Sequence, residues 1–294
     1  MDMAKTMRDI GCAKCRPFGG RGYRFDAGRD RETPGGRVVV CECVAPHCTC
    51  GALKPQEHVA GPPYGELTAR SEQASDEREC VCWPIRRQVT RLNRLLREAN
   101  IPELYQGKLT EDFRTARLDG IPLPEAQYAV GQAVTWLENV VRGEEVRGLY
   151  LHGISGDGKT LLASALLSEL ILHTGRQGLF VNLSREYFQR LRNTFDDEPG
   201  AETTEQAFIR LVRVPFVVLD DLGVERGSPW EIEWLYNLID ARYQKKNRVI
   251  LTSNHSLDEL QELSHGRIAS RLRHMCVSVK MPDEDLRVLF EYGL

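Results

Sequence analysis

No stretch of this sequence reaches the roughly 18 consecutive apolar residues that a membrane-spanning helix needs. The run Leu161–Leu172 is broken by Ser164, Ser168 and Glu169. The start, MDMAKTMRDIG, has no apolar segment suited to a signal peptide, so the expected compartment is the cytoplasm, with no membrane partner. An excess of charge of one sign is also missing: the formal net charge is −3 with 28% charged residues. Overall charge therefore gives no reason to expect nucleic-acid binding, and any basic surface must be local. Beyond residue 83 cysteine nearly vanishes. The one left, Cys276, lies in an apolar run that reads as a core strand and is expected to be a buried structural thiol. No internal repeat is visible.

What is present divides the chain into 1–83, a Cys-rich domain, 84–119, a basic helix and linker, and 120–294, an α/β domain. Residues 1–83 are rich in Gly, Pro, Arg and Cys and poor in apolar periodicity. Such a segment cannot bury enough surface to fold without a staple. Two short strands are expected, Gly22–Phe25 and Arg37–Val40, and residues 51–79 read as a long loop or insertion. In the cytoplasm disulfides are rare, so clustered cysteines point to metal. CxxC and CxC pairs place two thiolates on one ion, and four such pairs supply eight ligands, enough for two zinc sites of four cysteines each. "CAKC" followed by "GYRF", with "RVVV" running into "CEC", reads as a zinc ribbon closed by Cys12, Cys15, Cys41 and Cys43. Cys48, Cys50, Cys80 and Cys82 are then left for a second site, with His47 an alternative ligand in either. A single zinc, an iron–sulfur cluster or redox thiols are the competing readings. Four thiolates leave no open position, so such zinc is structural and not catalytic.

Pro84–Ala99 has helical apolar spacing, with Pro84 in the first turn and Asn100 at the stop. Its arginines 86, 87, 91, 94 and 97 form either a solvated face or a contact for DNA phosphate or an acidic partner. From residue 120 strands alternate with helices, the signature of a parallel sheet. Strands are expected at Gly148–His152, Gly178–Asn182, Pro215–Asp220, Arg248–Ser253 and Met275–Lys280. Helices are expected at 124–142, 159–173, 184–195, 203–213, 230–246 and 257–272.

"LYLHGISGDGKTLLASAL" has the order of a P-loop: strand, glycine loop, helix start. Gly153, Ile154, Ser155, Gly156, Asp157 and Gly158 form a loop whose N–H groups point at phosphate, with the helix from Lys159 and Leu161 adding its dipole. Lys159 reaches the β/γ-phosphates of ATP, and the Thr160 hydroxyl binds Mg²⁺. "PFVVLDDLG" supplies the carboxylates, Asp220 for Mg²⁺ and Asp221 to polarise the attacking water, with Glu225 a nearby rival. Asn254, after "RVILTS", either orients water beside the γ-phosphate or caps the helix that follows.

These motifs, together with "HGRIASRLRH", "IPELYQGKLTEDF", "DDLGVERGSPWEIEWLYNLIDARY" and "TSNHSLDELQEL", resemble bacterial replicative helicase loaders of the DnaC/DnaI type, AAA+ ATPases related to the transposition helper IstB. The resemblance covers about residues 84–294. It implies a five-stranded αβα core of order 5-1-4-3-2 without a C-terminal lid domain. It also implies an arginine finger at Arg271, which acts in the neighbouring subunit and so couples hydrolysis to self-association, with Arg267 one turn earlier. Arg287 matches the sensor 2 arginine. Arg185, Arg190 and Arg192, interleaved with Tyr187 and Phe188, would line a channel for single-stranded DNA, unless Phe188 and Leu191 are core residues. The family's placement of CxC directly before the basic helix offers another cysteine grouping, Cys12, Cys15, Cys80 and Cys82, with "CECVAPHCTC" inserted. The implied function is ATP-driven loading of the hexameric replicative helicase onto single-stranded DNA. Two rivals stand beside it: an IstB-like transposition helper, and a zinc-stapled adaptor that holds ATP as a static ligand.

Overall fold

The computed structural model describes residues 12–27, 36–50, 52–53, 66–67, 79–117, 120–184, 187–189, 191, 203–223, 228–262 and 266–289. The chain divides into two compact units, Met1–Arg97 and Glu98–Leu294. The helix expected in the linker therefore lies almost wholly in the first unit.

In that unit, β1 (Tyr23–Asp26) pairs antiparallel with β2 (Arg37–Val40), with Tyr23 opposite Val40. Val38, Val39 and Val40 are buried, as are Ile85, Val89 and Leu92 on the apolar side of α1 (Cys82–Glu98). Asn93, inside the helix, is buried as well. It accepts the Val38 N–H at 2.7 Å and donates to the Val38 carbonyl at 2.9 Å, so one amide satisfies both backbone groups of a strand residue. Asn100, at φ +56, ends the helical path in the left-handed conformation that asparagine tolerates.

The second unit is built on a five-stranded parallel sheet: β3 (Gly148–His152), β4 (Gly178–Asn182), β5 (Phe216–Asp220), β6 (Arg248–Ser253) and β7 (Cys276–Lys280). Its order is β4-β5-β6-β3-β7. Counted within this sheet alone and from the β7 edge, that is 5-1-4-3-2, the expected AAA+ arrangement. β5 is buried at every position, as a strand covered on both faces requires. α2 (Pro124–Val141), α3 (Lys159–Thr174), α4 (Thr204–Arg213) and α5 (Pro229–Gln244) follow the expected ranges closely. α3 is apolar nearly all round and correspondingly buried.

Two expectations change. The single helix at 257–272 is two, α6 (Leu257–Leu260) and α7 (Gly266–Met275). Ser256 caps α6, accepting the Glu259 N–H, so the capping role considered for Asn254 falls two residues later. The helix expected at 184–195 lies largely outside the described residues, including Arg185, Arg190 and Arg192. Of its other members, Phe188 and Leu191 are buried in the core. Phe188 and Tyr187 both meet the Trp234 ring edge-on, at 5.7 and 6.1 Å. Phe188 is thus packed as a core aromatic and presents no open face for a base. Cys276 is buried as the first residue of β7, where burial raises its thiol pKa. Arg242 of α5 is fully buried and donates to the carbonyl oxygens of Leu211, Val214, Pro215 and Arg248. Two of those carbonyls end α4, where a cation also meets the negative end of the helix dipole.

Candidate functional site

β3 delivers its chain into a tight loop at the carboxyl end of the sheet, the edge where parallel α/β folds bind ligands. Gly158, at φ +89, turns this loop into α3, and a Cβ there would stand 2.7 Å from the Phe113 ring. Gly156, at φ +90, has no room either: a Cβ would collide with the Asp285 carboxylate. These glycines let the backbone curl with its N–H groups inward, while Ile154 and Ser155 stand exposed at the tip. Leu161 is buried in the first turn of α3.

Lys159 is buried, its ammonium donating to the carbonyl oxygens of Gly153 at 3.0 Å and Ile154 at 2.5 Å and to both oxygens of Asp157 at 2.9 and 3.0 Å. Thr160 donates to Asp220 Oδ1 at 3.0 Å. Asp220 also accepts from Thr252 Oγ1 at 2.7 Å and from Asn182 Nδ2 at 3.0 Å. Burial raises its carboxyl pKa against the pull of those three donors. A hydroxyl and a carboxylate held together offer the hard oxygen donors that suit Mg²⁺. Asp221 is exposed, at φ +59, and its N–H donates to Thr252 Oγ1 at 2.8 Å. One threonine on β6 therefore holds the Asp220 carboxylate and the Asp221 backbone N–H. Asn254 is exposed just beyond the end of β6. Glu225, the rival to Asp221, lies outside the described residues.

Thr252 and Asn182 are not among the expected site residues. Neither are Tyr105 and Phe113, although both lie in or at the end of "IPELYQGKLTEDF". Tyr105 feels the charges of both Arg287 and Asp220, and burial raises its phenol pKa. The chain after β7 returns over the loop: the Leu286 N–H donates to the Gly156 carbonyl at 3.0 Å, at the start of α8 (Leu286–Leu289). Arg287 follows, exposed, with its own N–H donating to Asp285 at 2.9 Å.

Arg267 and Arg271 lie one turn apart on α7, and both face α5. Arg267 sits over the Tyr236 ring at 4.3 Å, and Arg271 over Tyr243 at 5.3 Å. Arg271 Nε pairs with Asp240 at 2.8 Å, and its pKa is raised by the Tyr236 hydroxyl and by Asp240. Tyr236, Asp240 and Tyr243, at helical spacing on α5, form the cradle of Arg271.

In the first unit the cysteines fall into two groups, Cys12, Cys15, Cys41 and Cys43, and Cys48, Cys50, Cys80 and Cys82, with the sulfurs of each within 4.8 Å of one another. This is the ribbon grouping, and the one joining Cys12 and Cys15 to Cys80 and Cys82 is not formed. Cys12–Cys41 and Cys15–Cys43 are 3.6 and 3.8 Å apart. Cys48–Cys50, Cys48–Cys82 and Cys50–Cys82 are 3.6, 3.7 and 3.5 Å apart. Ligands at about 2.3 Å from a tetrahedral zinc stand about 3.8 Å from each other, so both groups have the dimensions of a four-cysteine zinc site. Burial pushes the Cys41 thiol up to about 11 and Cys82 higher still, a cost for thiolates that a divalent cation offsets. His47 is exposed and belongs to neither group.

A profile of the IstB-like ATP binding protein family matches residues 85–289. The chain belongs to this family. Among relatives of this IstB-like protein, YqaM of Bacillus subtilis (strain 168), an uncharacterized protein, is 24% identical over 206 residues, 68% of this chain and 61% of its own length. The replicative helicase loader DnaC of Escherichia coli (strain K12) is 24% identical over 62% of this chain and 70% of its own. The replicative helicase loader DnaI of Bacillus subtilis (strain 168) is 25% identical over 48% of each. The chain thus spans between half and about two thirds of the length of these relatives. In fold, the IstB-like unit is similar to the crystal structure of the DnaC helicase loader, with a TM-score of 0.51 at 23% identity, covering 62% of this chain and all of that one. Among the described residues no helix is long and apolar enough to cross a membrane.

Proposed function

We propose that this protein is an ATP-hydrolysing helicase loader that brings a hexameric replicative helicase onto single-stranded DNA. The observation that carries the reading is the meeting of Lys159, Thr160 and Asp220 at one end of the sheet, with Thr160 and Asp220 3.0 Å apart. The relatives named as helicase loaders supply the client. Lys159 binds the β/γ-phosphates, and Thr160 and Asp220 hold Mg²⁺, which neutralises phosphate charge when bound. Thr160, Thr252 and Asn182 all donate to Asp220 and favour its carboxylate form against the effect of burial. Asp221, turned outward by its left-handed backbone, polarises water, and Asn254 orients it.

Arg271 serves a neighbouring copy of the chain, so hydrolysis depends on self-association. Its Nε pair with Asp240 orients the guanidinium before that neighbour arrives. Arg271→Ala is expected to lower ATPase turnover at least about a hundredfold while MgADP affinity, read by calorimetry, stays within about twofold. Loss of binding itself would put Arg271 in its own subunit's site. In the first unit, two structural zinc ions close the cysteine groups and shape a docking surface for the helicase, with the arginine face of α1 contributing to it.

The decisive experiment is ATP-dependent capture of the replicative helicase of the native host by the purified full chain. The family profile keeps a second client in view, since IstB-like proteins give the family its name. Capture of a transposase and no helicase would replace the loader with a transposition helper. Capture that is the same with ATP and with a non-hydrolysable analogue, at unmeasurable turnover, would instead fit an adaptor with a static nucleotide.

A further inference from the structure

Asp157 is the one charged group of the P-loop whose side chain the phosphate chemistry leaves without a task. It is 1% exposed, at the bottom of the loop. Its two oxygens accept from Lys159 Nζ at 2.9 and 3.0 Å, and Oδ1 also accepts the Lys159 backbone N–H at 3.2 Å. The same ammonium donates to the carbonyls of Gly153 and Ile154. An ammonium has three protons, and four acceptor atoms from the loop already surround this one. Carbonyl oxygens are neutral and yield to phosphate readily, but a buried carboxylate is a charged competitor of the same sign as the ligand. Burial raises the Asp157 carboxyl pKa, and the contact with Lys159 pulls against it.

We propose that Asp157 is an internal competitor for the Lys159 ammonium, a positioning residue that weakens the grip of the P-loop on nucleoside di- and triphosphates and speeds their exchange. The inference rests on the proposed binding of nucleotide by this loop. Entry of a β-phosphate must part a buried ion pair, and the carboxylate it displaces remains within a few ångströms in a site poorly screened by water. Both effects favour release. A loader that cycles between nucleotide states has use for such a loop, since tight product binding would hold it in one state.

Asp157→Asn tests this in the full chain, because it keeps the shape of the side chain and its acceptor for the Lys159 N–H while removing the charge. MgADP affinity is read by calorimetry, and dissociation by stopped-flow with a fluorescent ADP analogue. The expected result is affinity raised about tenfold, mostly through slower dissociation, together with a lower melting temperature without nucleotide. Opposite movements of these two readouts separate competition from a shaping role, which would lower both. Asp157→Thr, with a shorter neutral acceptor, provides the same comparison if the asparagine variant does not fold. Unchanged or weaker MgADP binding by a folded variant overturns the proposal. A wild-type chain that binds no MgADP beside a variant that does supports it, whereas no binding by either removes the nucleotide reading along with it.

Discussion

Residues 98–294 close around Tyr150, Leu151, Leu166, Val218 and Leu238, each with almost no exposed surface, and the strands β3 and β5 that carry three of them are nearly continuous apolar runs. The described part of residues 1–97 has two four-residue strands and one long helix, and its small apolar core includes the buried Cys15, Cys41, Cys80 and Cys82. One unit excludes water with hydrocarbon. The other has a small hydrocarbon core joined to two groups of four cysteines, and its cohesion depends in addition on what the sulfurs hold. A region stabilised by its own core loses stability in steps as single contacts are removed, while a region closed by ligands fails when the ligand leaves. The difference also divides the work, since the unit with its own core carries the P-loop.

Removing metal should break this comparison most sharply. Treatment with a strong zinc chelator is expected to release two zinc ions per chain, counted by mass spectrometry, and to unfold the first unit, because a structural zinc contributes on the order of 10 kcal/mol. MgADP binding by the second unit should persist. Iron in place of zinc, or oxidised and metal-free cysteines, would overturn the assignment.

A smaller effect is expected from the other side. Arg242→Leu leaves the carbonyls of Leu211, Val214 and Arg248 buried without a donor and should lower the stability of the second unit by about 3 kcal/mol or more in urea denaturation. Metal content should not change. A loss below about 1 kcal/mol would mean that water replaces the guanidinium.

The smallest effect sharpens the boundary of the site. Ser256→Ala removes the cap of α6 and should cost about 1 kcal/mol, with ATPase activity kept. A large fall in activity would show that this cap positions the neighbouring Asn254.

β3 and β5 were legible because a strand buried on both faces must be apolar throughout, and the loop between β3 and α3 carries a glycine pattern few other structures use. The cap at Ser256 was missed in favour of Asn254, two residues earlier, although the S-x-x-E of "SLDE" carries its signal. Thr252 and Asn182 carried no local signal. They lie 32 residues after and 38 residues before Asp220 and reach it only because β6 and β4 flank β5.

By itself, then, the sequence determined the strands, the P-loop, the carboxylate pair and the presence of four paired-thiol motifs, since each is a short-range pattern with one physical use. It left two groupings of the cysteines open. The tertiary structure decided between them: the β1–β2 hairpin sets Tyr23 opposite Val40, and the Cys41 N–H donates to the Gly22 carbonyl. That pairing brings Cys12 and Cys15 to Cys41 and Cys43, leaving Cys48 and Cys50 for Cys80 and Cys82 at the start of α1. Spacing along a chain says which thiols are neighbours in sequence. Only strand pairing says which meet across it.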